Sequence, residues 1–244
     1  GARGIGEKRA AELLARYASL EAMLAEGRLA TEADALRLYR RDGDFMIVLG
    51  GNELMSSRMR SSEEALAVRT CERLREEAPH LLVGGYGMGF TLRKALAVCP
   101  ADVRLTVAEL VPEIIEWARG PMAEVAAGCL DDRRVMLRMD DVADAILLAP
   151  EPLDAILLDV DNGPDGLVRA ENNRLYSKGG LRHAMKALRP GGLLAIWSAG
   201  PDPKFTRRLE DAGFEVDQVE VRARVDASGK GKGPRHIIWF AKAP

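Results

Sequence analysis

A run of glycines interrupts an apolar stretch in LLVGGYGMGFTLRKAL, residues 81–96. The apolar residues before the glycines predict a buried strand, and the spacing after them predicts a helix. Glycine has no side chain and readily adopts positive φ, so such a turn lets a ligand lie against bare backbone. Gly84, Gly85 and Gly87 are therefore candidate ligand-binding residues. Tyr86, inside the turn, is a candidate to stack on the ligand or to narrow the pocket of a second substrate.

Acidic residues stand where the following strands are predicted to end. Glu109 ends VRLTVAEL, about 20 residues beyond the glycine turn, where an acid accepts hydrogen bonds from the hydroxyls of a ribose. Asp140 and Asp141 follow RVMLRM. Asp140 is a candidate to meet an adenine amino group, and capping of the next helix is the structural alternative for both aspartates. Because ligands of an open α/β sheet bind beyond the carboxyl ends of its strands, these residues predict a nucleoside site.

Two further acids follow the next apolar run, in DAILLDVDNG, at Asp159 and Asp161. An amine attacks only after it has lost its proton, and a carboxylate at the reaction centre can bind the amine and accept that proton. Both aspartates are thus candidate catalytic residues, with a simple strand-end turn as the alternative. A dinucleotide fits less well than a nucleoside, because GGYGMG does not match the G-x-G-x-x-G register and no P-loop lysine follows.

The elements that must position these residues alternate between strand and helix, which predicts an α/β fold with a mostly parallel sheet covered on both faces. FEVDQVEVRARV and RHIIWFAK predict an antiparallel pair at one edge, and DFMIVLGGNELM predicts a β-hairpin. The helix SSEEALAVRTCERLREEA is expected to be capped by Ser61 or Ser62. We divide the chain into a helical segment at residues 1–40, a hairpin with its lead-in helix at 41–78, and the main domain at 79–244.

Composition narrows the function classes. The chain has 244 residues, 47% of them apolar and 30% charged, with a net charge of −2, which suits a globular core and argues against a nucleic-acid coat. The absence of an apolar run of roughly 20 residues and of a secretory signal predicts a cytoplasmic protein without a membrane partner. Cys71, Cys99 and Cys129 are predicted to be buried reduced thiols. His183 and His236 lack metal-ligand spacing, so no metal site is expected.

From about Leu36 to its end, the chain resembles the spermidine synthase-like branch of the S-adenosylmethionine-dependent methyltransferase superfamily. The resemblance is carried by ELMSSRMRSSEEALA, LLVGGYGMGFTLRKAL, VAELVPEIIEWARG and DAILLDVDNGPDG. It implies a Rossmann-like seven-stranded methyltransferase sheet, preceded by the β-hairpin. It also implies a donor, S-adenosylmethionine or its decarboxylated form, held by the glycine turn, Glu109 and Asp140. An amine acceptor near Asp159 and a homodimer are further implications.

The chain departs from the pattern of polyamine synthases in three places. The acid usual inside the glycine turn falls at Gly87, and the catalytic loop reads DVDNG instead of D-x-x-D-P. The tyrosine usual near the start of the helix after the hairpin is missing, and Glu63 or Glu64 is a stand-in. Methyl transfer from S-adenosylmethionine therefore stays open beside aminopropyl transfer from the decarboxylated donor. The methionine carboxylate separates the two, and Arg93 is the nearby candidate cation for it.

The first 35 residues have a pattern of their own, a helical hairpin. GARGIGEKRAAELLARYASLEAMLAEG resembles the helix-hairpin-helix element of 5'-3' exonucleases. The resemblance implies that the backbone around Gly4 and Gly6 binds a DNA phosphate, assisted by Lys8. One such element predicts only weak, non-specific DNA binding through residues 1–30. A non-enzymatic DNA-associating protein and a helical pair that merely packs on the domain are the alternatives, and ADALRLYRR fits either side of the junction.

Overall fold

The computed structural model describes residues 36–49, 52–160, 173–226 and 228–244. They form a seven-stranded sheet covered by helices and a separate three-stranded antiparallel sheet. The predicted Rossmann-like α/β fold is confirmed. Among the described residues, no helix is long and apolar enough to cross a membrane.

The strands of the large sheet lie in the order β6-β5-β4-β7-β8-β10-β9. Their bounds are β4 (His80–Gly84), β5 (Arg104–Glu109), β6 (Val135–Met139), β7 (Leu153–Leu158), β8 (Leu188–Ser198), β9 (Glu215–Val225) and β10 (Gly231–Lys242). Neighbours from β6 through β8 are parallel, whereas β10 is antiparallel to both β8 and β9, which confirms the predicted edge pair. The strand order reverses at β4, between β5 and β7, and a ligand crevice is expected at such a point.

Helices pack on both faces of this sheet. They are α1 (Ser61–Cys71), α2 (Phe90–Val98), α3 (Pro112–Arg119), α4 (Ala123–Ala126), α5 (Val142–Leu147), α6 (Asn173–Tyr176), α7 (Lys178–Ala187) and α8 (Pro203–Asp211). Leu81 and Val83 belong to the apolar cluster under α1 to α4, and Leu82 belongs to the cluster under α5, α7 and α8. Successive strand residues point to opposite faces, so a continuous apolar run is needed where both faces are covered.

The small sheet consists of β1 (Leu36–Arg41), β2 (Asp44–Leu49) and β3 (Asn52–Ser56), in that order. The predicted hairpin is confirmed in β2 and β3. The prediction of a helical segment up to residue 40 is wrong from Leu36 onwards, because β1 pairs with β2 over its whole length. Leu36 and Leu38 pack against the core and the residues between and after them are exposed, the period of a strand and not of a helix.

The N-terminal predictions fall on residues 1–35, which lie outside the described residues. They concern the helical hairpin, its phosphate contacts at Gly4, Gly6 and Lys8, and the DNA partner. They stay predictions. The ambiguous segment ADALRLYRR does enter the described part, and from Leu36 it belongs to the small sheet.

Cys71 and Cys99 form a disulfide, so the prediction of reduced thiols is wrong for this pair. Cys71 ends α1, Cys99 follows the end of α2, and the packing of the two helices brings the Cα atoms to 5.6 Å. Sequence spacing did not reveal the pair because apolar surroundings suit a buried thiol equally well. Cys129 is free and buried, as predicted. The disulfide removes the thiol argument for a reducing compartment, and the cytoplasmic location stays a prediction.

The start of α1 differs from the sequence expectation as well. No side chain caps the helix, so the prediction of a serine cap is wrong. Ser62 is instead fully buried, and its hydroxyl forms a 2.8 Å hydrogen bond with Nδ1 of His236 on β10. The rings of His236 and Trp197 form a T-shaped pair, with ring centroids 4.7 Å apart. This contact fixes the first turn of α1 to the large sheet.

Replacement of Ser62 by alanine is expected to lower the free energy of unfolding by about 1–3 kcal/mol, because it leaves a buried ring nitrogen of His236 without its partner. Urea denaturation followed by circular dichroism measures the change. Ser61→Ala is the matched control: Ser61 lies in the same helical turn, is only half-buried, and should alter stability by less than about 0.5 kcal/mol. Equal midpoints for the two variants would contradict the anchoring role of Ser62.

Candidate active site

The glycine turn, Glu109 and Asp159 meet at the carboxyl ends of three neighbouring strands, as the sequence predicts. Gly84 of β4 pairs with Ala108 of β5 on one side and with Leu158 of β7 on the other. The Gly85 N–H donates to the Ala108 carbonyl at 2.9 Å, and the Asp159 N–H donates to the Gly84 carbonyl at 3.0 Å. Backbone hydrogen bonds thus hold the ends of β4, β5 and β7 together.

The turn needs glycine for its own geometry. Gly85, Gly87 and Gly89 have φ values of 85°, 55° and 79°, in the left-handed region that favours glycine. A Cβ atom on Gly85 would lie 2.7 Å from the backbone oxygen of Asp159, and one on Gly84 would overlap the side chain of Val142. Bare backbone at these positions is therefore a structural requirement of the turn itself.

Tyr86 does not present its ring to the site. The residue is only 4% exposed, its hydroxyl lies 3.4 Å from the sulfur of Cys129, and its ring packs against Gly89. The predicted stacking on a nucleoside is therefore wrong. The backbone of Tyr86 helps to orient Glu109, since its N–H donates to Oε2 of that residue at 2.9 Å.

Glu109 is held rigidly at the end of β5 and is 8% exposed. Oε1 accepts from the Val111 N–H at 2.9 Å, and Oε2 accepts from Tyr86. Burial raises the pKa of Glu109, although the backbone donors oppose the rise. The backbone N–H groups of Gly87 and Leu110 also act on this carboxylate, and its contact with ribose hydroxyls stays a prediction.

The two acids after β6 take different roles. Asp141 Oδ1 accepts from the Ala143 N–H at 2.6 Å and caps α5, which confirms the capping interpretation for this residue. Asp140 does not cap: its N–H donates to the Glu109 carbonyl at 3.1 Å, and its carboxylate pairs with Arg138 at 2.6 Å. Asp140 is thus tied to Glu109 and stays the adenine candidate, and nucleoside contact by Asp141 stays a prediction.

Asp159 lies half-buried after β7 and points at α2. Its Oδ2 accepts a 2.7 Å hydrogen bond from the hydroxyl of Thr91. Burial raises the pKa of Asp159 to about 6, and the Thr91 hydrogen bond opposes that rise. A carboxyl with this pKa is deprotonated at neutral pH yet remains basic enough to accept a proton. Asp161, the second catalytic candidate, lies outside the described residues.

A second acid, Glu63 in the first turn of α1, lies beside Asp159: the Thr91 hydroxyl that donates to Asp159 also lies 3.3 Å from the backbone carbonyl oxygen of Glu63. Burial, then the negative charge of Asp159, then that of Glu64 raise the pKa of Glu63 well above its usual range. Glu64 turns the other way, to Arg60 at 3.5 Å. The sequence proposed either glutamate as a stand-in for the missing tyrosine, and the packing of α1 selects Glu63. Within the described residues, neither Glu63 nor Asp159 has a salt-bridge partner.

Two further features of this region, the candidate cation Arg93 and the position of Gly87, are both engaged by other parts of the chain. Arg93 lies two residues after Thr91 on α2, roughly on the opposite side of the helix, and its guanidinium donates to the backbone carbonyl of Val125. It is therefore not directed at the acidic pair. At the position of the missing turn acid, a Cβ on Gly87 would meet the terminal atoms of Met55 at 3.3 Å. The small sheet thus covers the place where polyamine synthases carry a carboxylate.

Comparisons with known proteins found relatives by sequence and by fold. No known protein-family model matches the chain. The polyamine aminopropyltransferase of Mycobacterium tuberculosis (strain H37Rv) is 31% identical over 153 residues, an alignment that covers 59% of this chain and 28% of the relative. The chain spans less than half the length of the curated relatives it matches.

Solved structures show the fold. The crystal structure of spermidine synthase from Thermotoga maritima superposes with a TM-score of 0.65 at 18% identity, covering 86% of this chain and 69% of that one. A spermidine synthase in complex with the transition-state analogue AdoDATO superposes with a TM-score of 0.67 at 18% identity, covering 86% and 70%. The chain therefore has a spermidine synthase-like fold, and its sequence is similar to polyamine aminopropyltransferases.

Proposed function

We propose that this chain transfers an aminopropyl group from decarboxylated S-adenosylmethionine to an amine. The observation that carries the proposal is the pair of acids Glu63 and Asp159 beside the glycine turn. Among the described residues, no cationic side chain forms a salt bridge with either of them. An amine reaches such a site as an ammonium ion, which the two acids attract. The curated relatives are named for the same chemistry.

The residues divide the work between donor and acceptor. The backbone of the glycine turn holds the sulfonium nucleoside, Glu109 accepts from its ribose hydroxyls, and Asp140 lies towards its adenine. Asp159 accepts a proton from the ammonium, and the freed nitrogen attacks the carbon next to sulfur. A C–N bond forms, the C–S bond breaks, and its electron pair goes to sulfur, which leaves as a neutral thioether. Alignment of nitrogen, carbon and sulfur is the main catalytic requirement of this displacement.

The charges at the site favour the decarboxylated donor. The methionine carboxylate of S-adenosylmethionine would approach two acidic side chains, while Arg93 is engaged with a backbone carbonyl on another side of α2. Like charges at short range repel, and the repulsion is strongest where the groups are partly buried. Methyl transfer from S-adenosylmethionine is the competing reaction on this fold. The predicted homodimer and the DNA partner stay predictions.

Calorimetric titration with both donors tests this assignment. Decarboxylated S-adenosylmethionine is expected to bind at least about 10-fold more tightly than the parent compound, because its tail carries no carboxylate. Glu63→Gln should reduce this preference because it removes one of the two acids at the site, and Glu64→Gln should retain it because Glu64 pairs with Arg60. Tighter binding of the parent donor would favour a methyltransferase instead.

A further inference from the structure

The disulfide joins the far ends of the two helices that begin at the acidic pair. Helix α1 carries Glu63 in its first turn and ends at Cys71, and α2 carries Thr91 in its first turn and is followed by Cys99. The pair Glu63 and Thr91 and the pair Cys71 and Cys99 are both separated by 28 residues in sequence. The two helices thus run side by side in the same direction. Each cysteine follows its site residue by eight positions, which places the disulfide about 12 Å from the site at a rise of 1.5 Å per residue.

At the site end, the hydrogen bond that joins the two helices is the longer of the two that the Thr91 hydroxyl can make. The Thr91 hydroxyl lies 2.7 Å from Asp159 but 3.3 Å from the backbone oxygen of Glu63, so the shorter hydrogen bond goes to the aspartate. The first turn of α1 has no side-chain cap, and its Ser62 anchor leads to His236 on the sheet instead of to α2. The disulfide is the covalent link between α1 and α2, and it adds to the packing of Leu66 and Ala67 in the apolar cluster that also holds Phe90, Leu92 and Ala95.

We propose that the Cys71–Cys99 disulfide positions Glu63 against Asp159, and that its reduction weakens binding of the acceptor amine but not of the donor. This inference rests on the proposed function. Donor binding is spared because the glycine turn and Glu109 are held by backbone hydrogen bonds within β4 and β5 and their loops, to which α1 contributes nothing. Cys71 and Cys99 are thus positioning residues that act through Glu63.

The reduction is a thiol–disulfide exchange with a dithiol. One thiolate of the dithiol attacks a sulfur of the pair, and the second then closes the reagent into a cyclic disulfide. The protein S–S bond breaks, and two electrons and two protons pass from the dithiol to Cys71 and Cys99. The product carries two thiols there, in addition to the free thiol of Cys129.

The test compares the full chain before and after treatment with dithiothreitol, using 1,4-diaminobutane and other short amines as acceptors. Reduction is expected to raise the acceptor KM roughly 10-fold, because small misplacements at a reaction centre are costly, and to leave the donor Kd unchanged. Thiol titration under denaturing conditions should find one thiol before reduction and three after it. The double variant C71A/C99A should show the raised KM with or without the dithiol, which separates the pair from Cys129.

Several outcomes would overturn the inference. The inference fails if three thiols are found before reduction. It also fails if reduction leaves the acceptor KM unchanged or raises the donor Kd by an equal factor. If the oxidised protein turns over no amine, the proposed function fails. Amide hydrogen exchange then tests separately whether the disulfide holds the first turn of α1 in place. Faster exchange across the first turn of α1 after reduction supports it, and an unchanged rate refutes it.

Discussion

Replacement of Asp159 by asparagine is expected to lower kcat by about 10²–10⁴-fold, the contribution typical of a positioned general base. The amide keeps the shape of the side chain and can still accept from Thr91, but it cannot take a proton from the amine. Steady-state turnover of the best amine measures the effect. The free energy of unfolding should not fall, because the change removes a partly buried charge.

The pH dependence of kcat/KM distinguishes a role of Asp159 as general base from a role as a fixed negative charge. In the unaltered protein, kcat/KM should rise with pH through a limb near the pKa of Asp159, about 6, because only the deprotonated carboxylate accepts a proton. Thr91→Val should move the limb to higher pH, since the hydroxyl that lowers this pKa is lost. The limb should disappear in D159N. Unchanged turnover by D159N with every tested amine would contradict the proposed mechanism.

Replacement of Gly85 by alanine is expected to weaken donor binding by about 100-fold or to prevent folding, because two penalties combine. The residue has a φ of 85°, and its Cβ would lie 2.7 Å from the backbone oxygen of Asp159. A backbone atom cannot rotate away as a side chain does, so the turn itself must move. Calorimetric donor binding and urea denaturation measure the two effects.

Gly43 provides the matched control. Its φ of 86° nearly equals that of Gly85, but a Cβ there would have no atom within 4 Å. Gly43→Ala should therefore cost only the backbone strain, about 1–2 kcal/mol of stability, and leave donor binding unchanged. Equal effects of the two substitutions would show that the positive φ alone requires glycine at position 85, and that the close approach to Asp159 adds nothing.

The acidic pair also explains how the site accommodates its departures from the usual polyamine synthase pattern. The position of the turn acid is Gly87, covered by Met55, so a carboxylate there would meet a side chain of β3. Glu63 places a carboxyl against Asp159 from α1 instead. The second carboxyl beside Asp159 therefore comes from α1 and not from the glycine turn.

The sequence alone determined the strand-end residues. Parallel strands bring their carboxyl ends to one edge, so the glycine turn, Glu109 and Asp159 could be placed together from the alternation of strands and helices. The positive φ of Gly85 and Gly87 followed from the residue type in a strand-to-helix turn. These features depend on local pattern and on a general property of α/β sheets.

The tertiary structure decided which way individual side chains face. Glu63 and not Glu64 meets Asp159, the ring of Tyr86 points into the core, and Cys71 pairs with Cys99. Each outcome depends on how one helix or turn packs against another. Neighbouring residues on a helix point about 100° apart, so the orientation of the helix about its axis decides which of two adjacent carboxyls lies beside Asp159. This orientation is set by contacts between residues far apart in the chain, which the spacing of one segment does not encode.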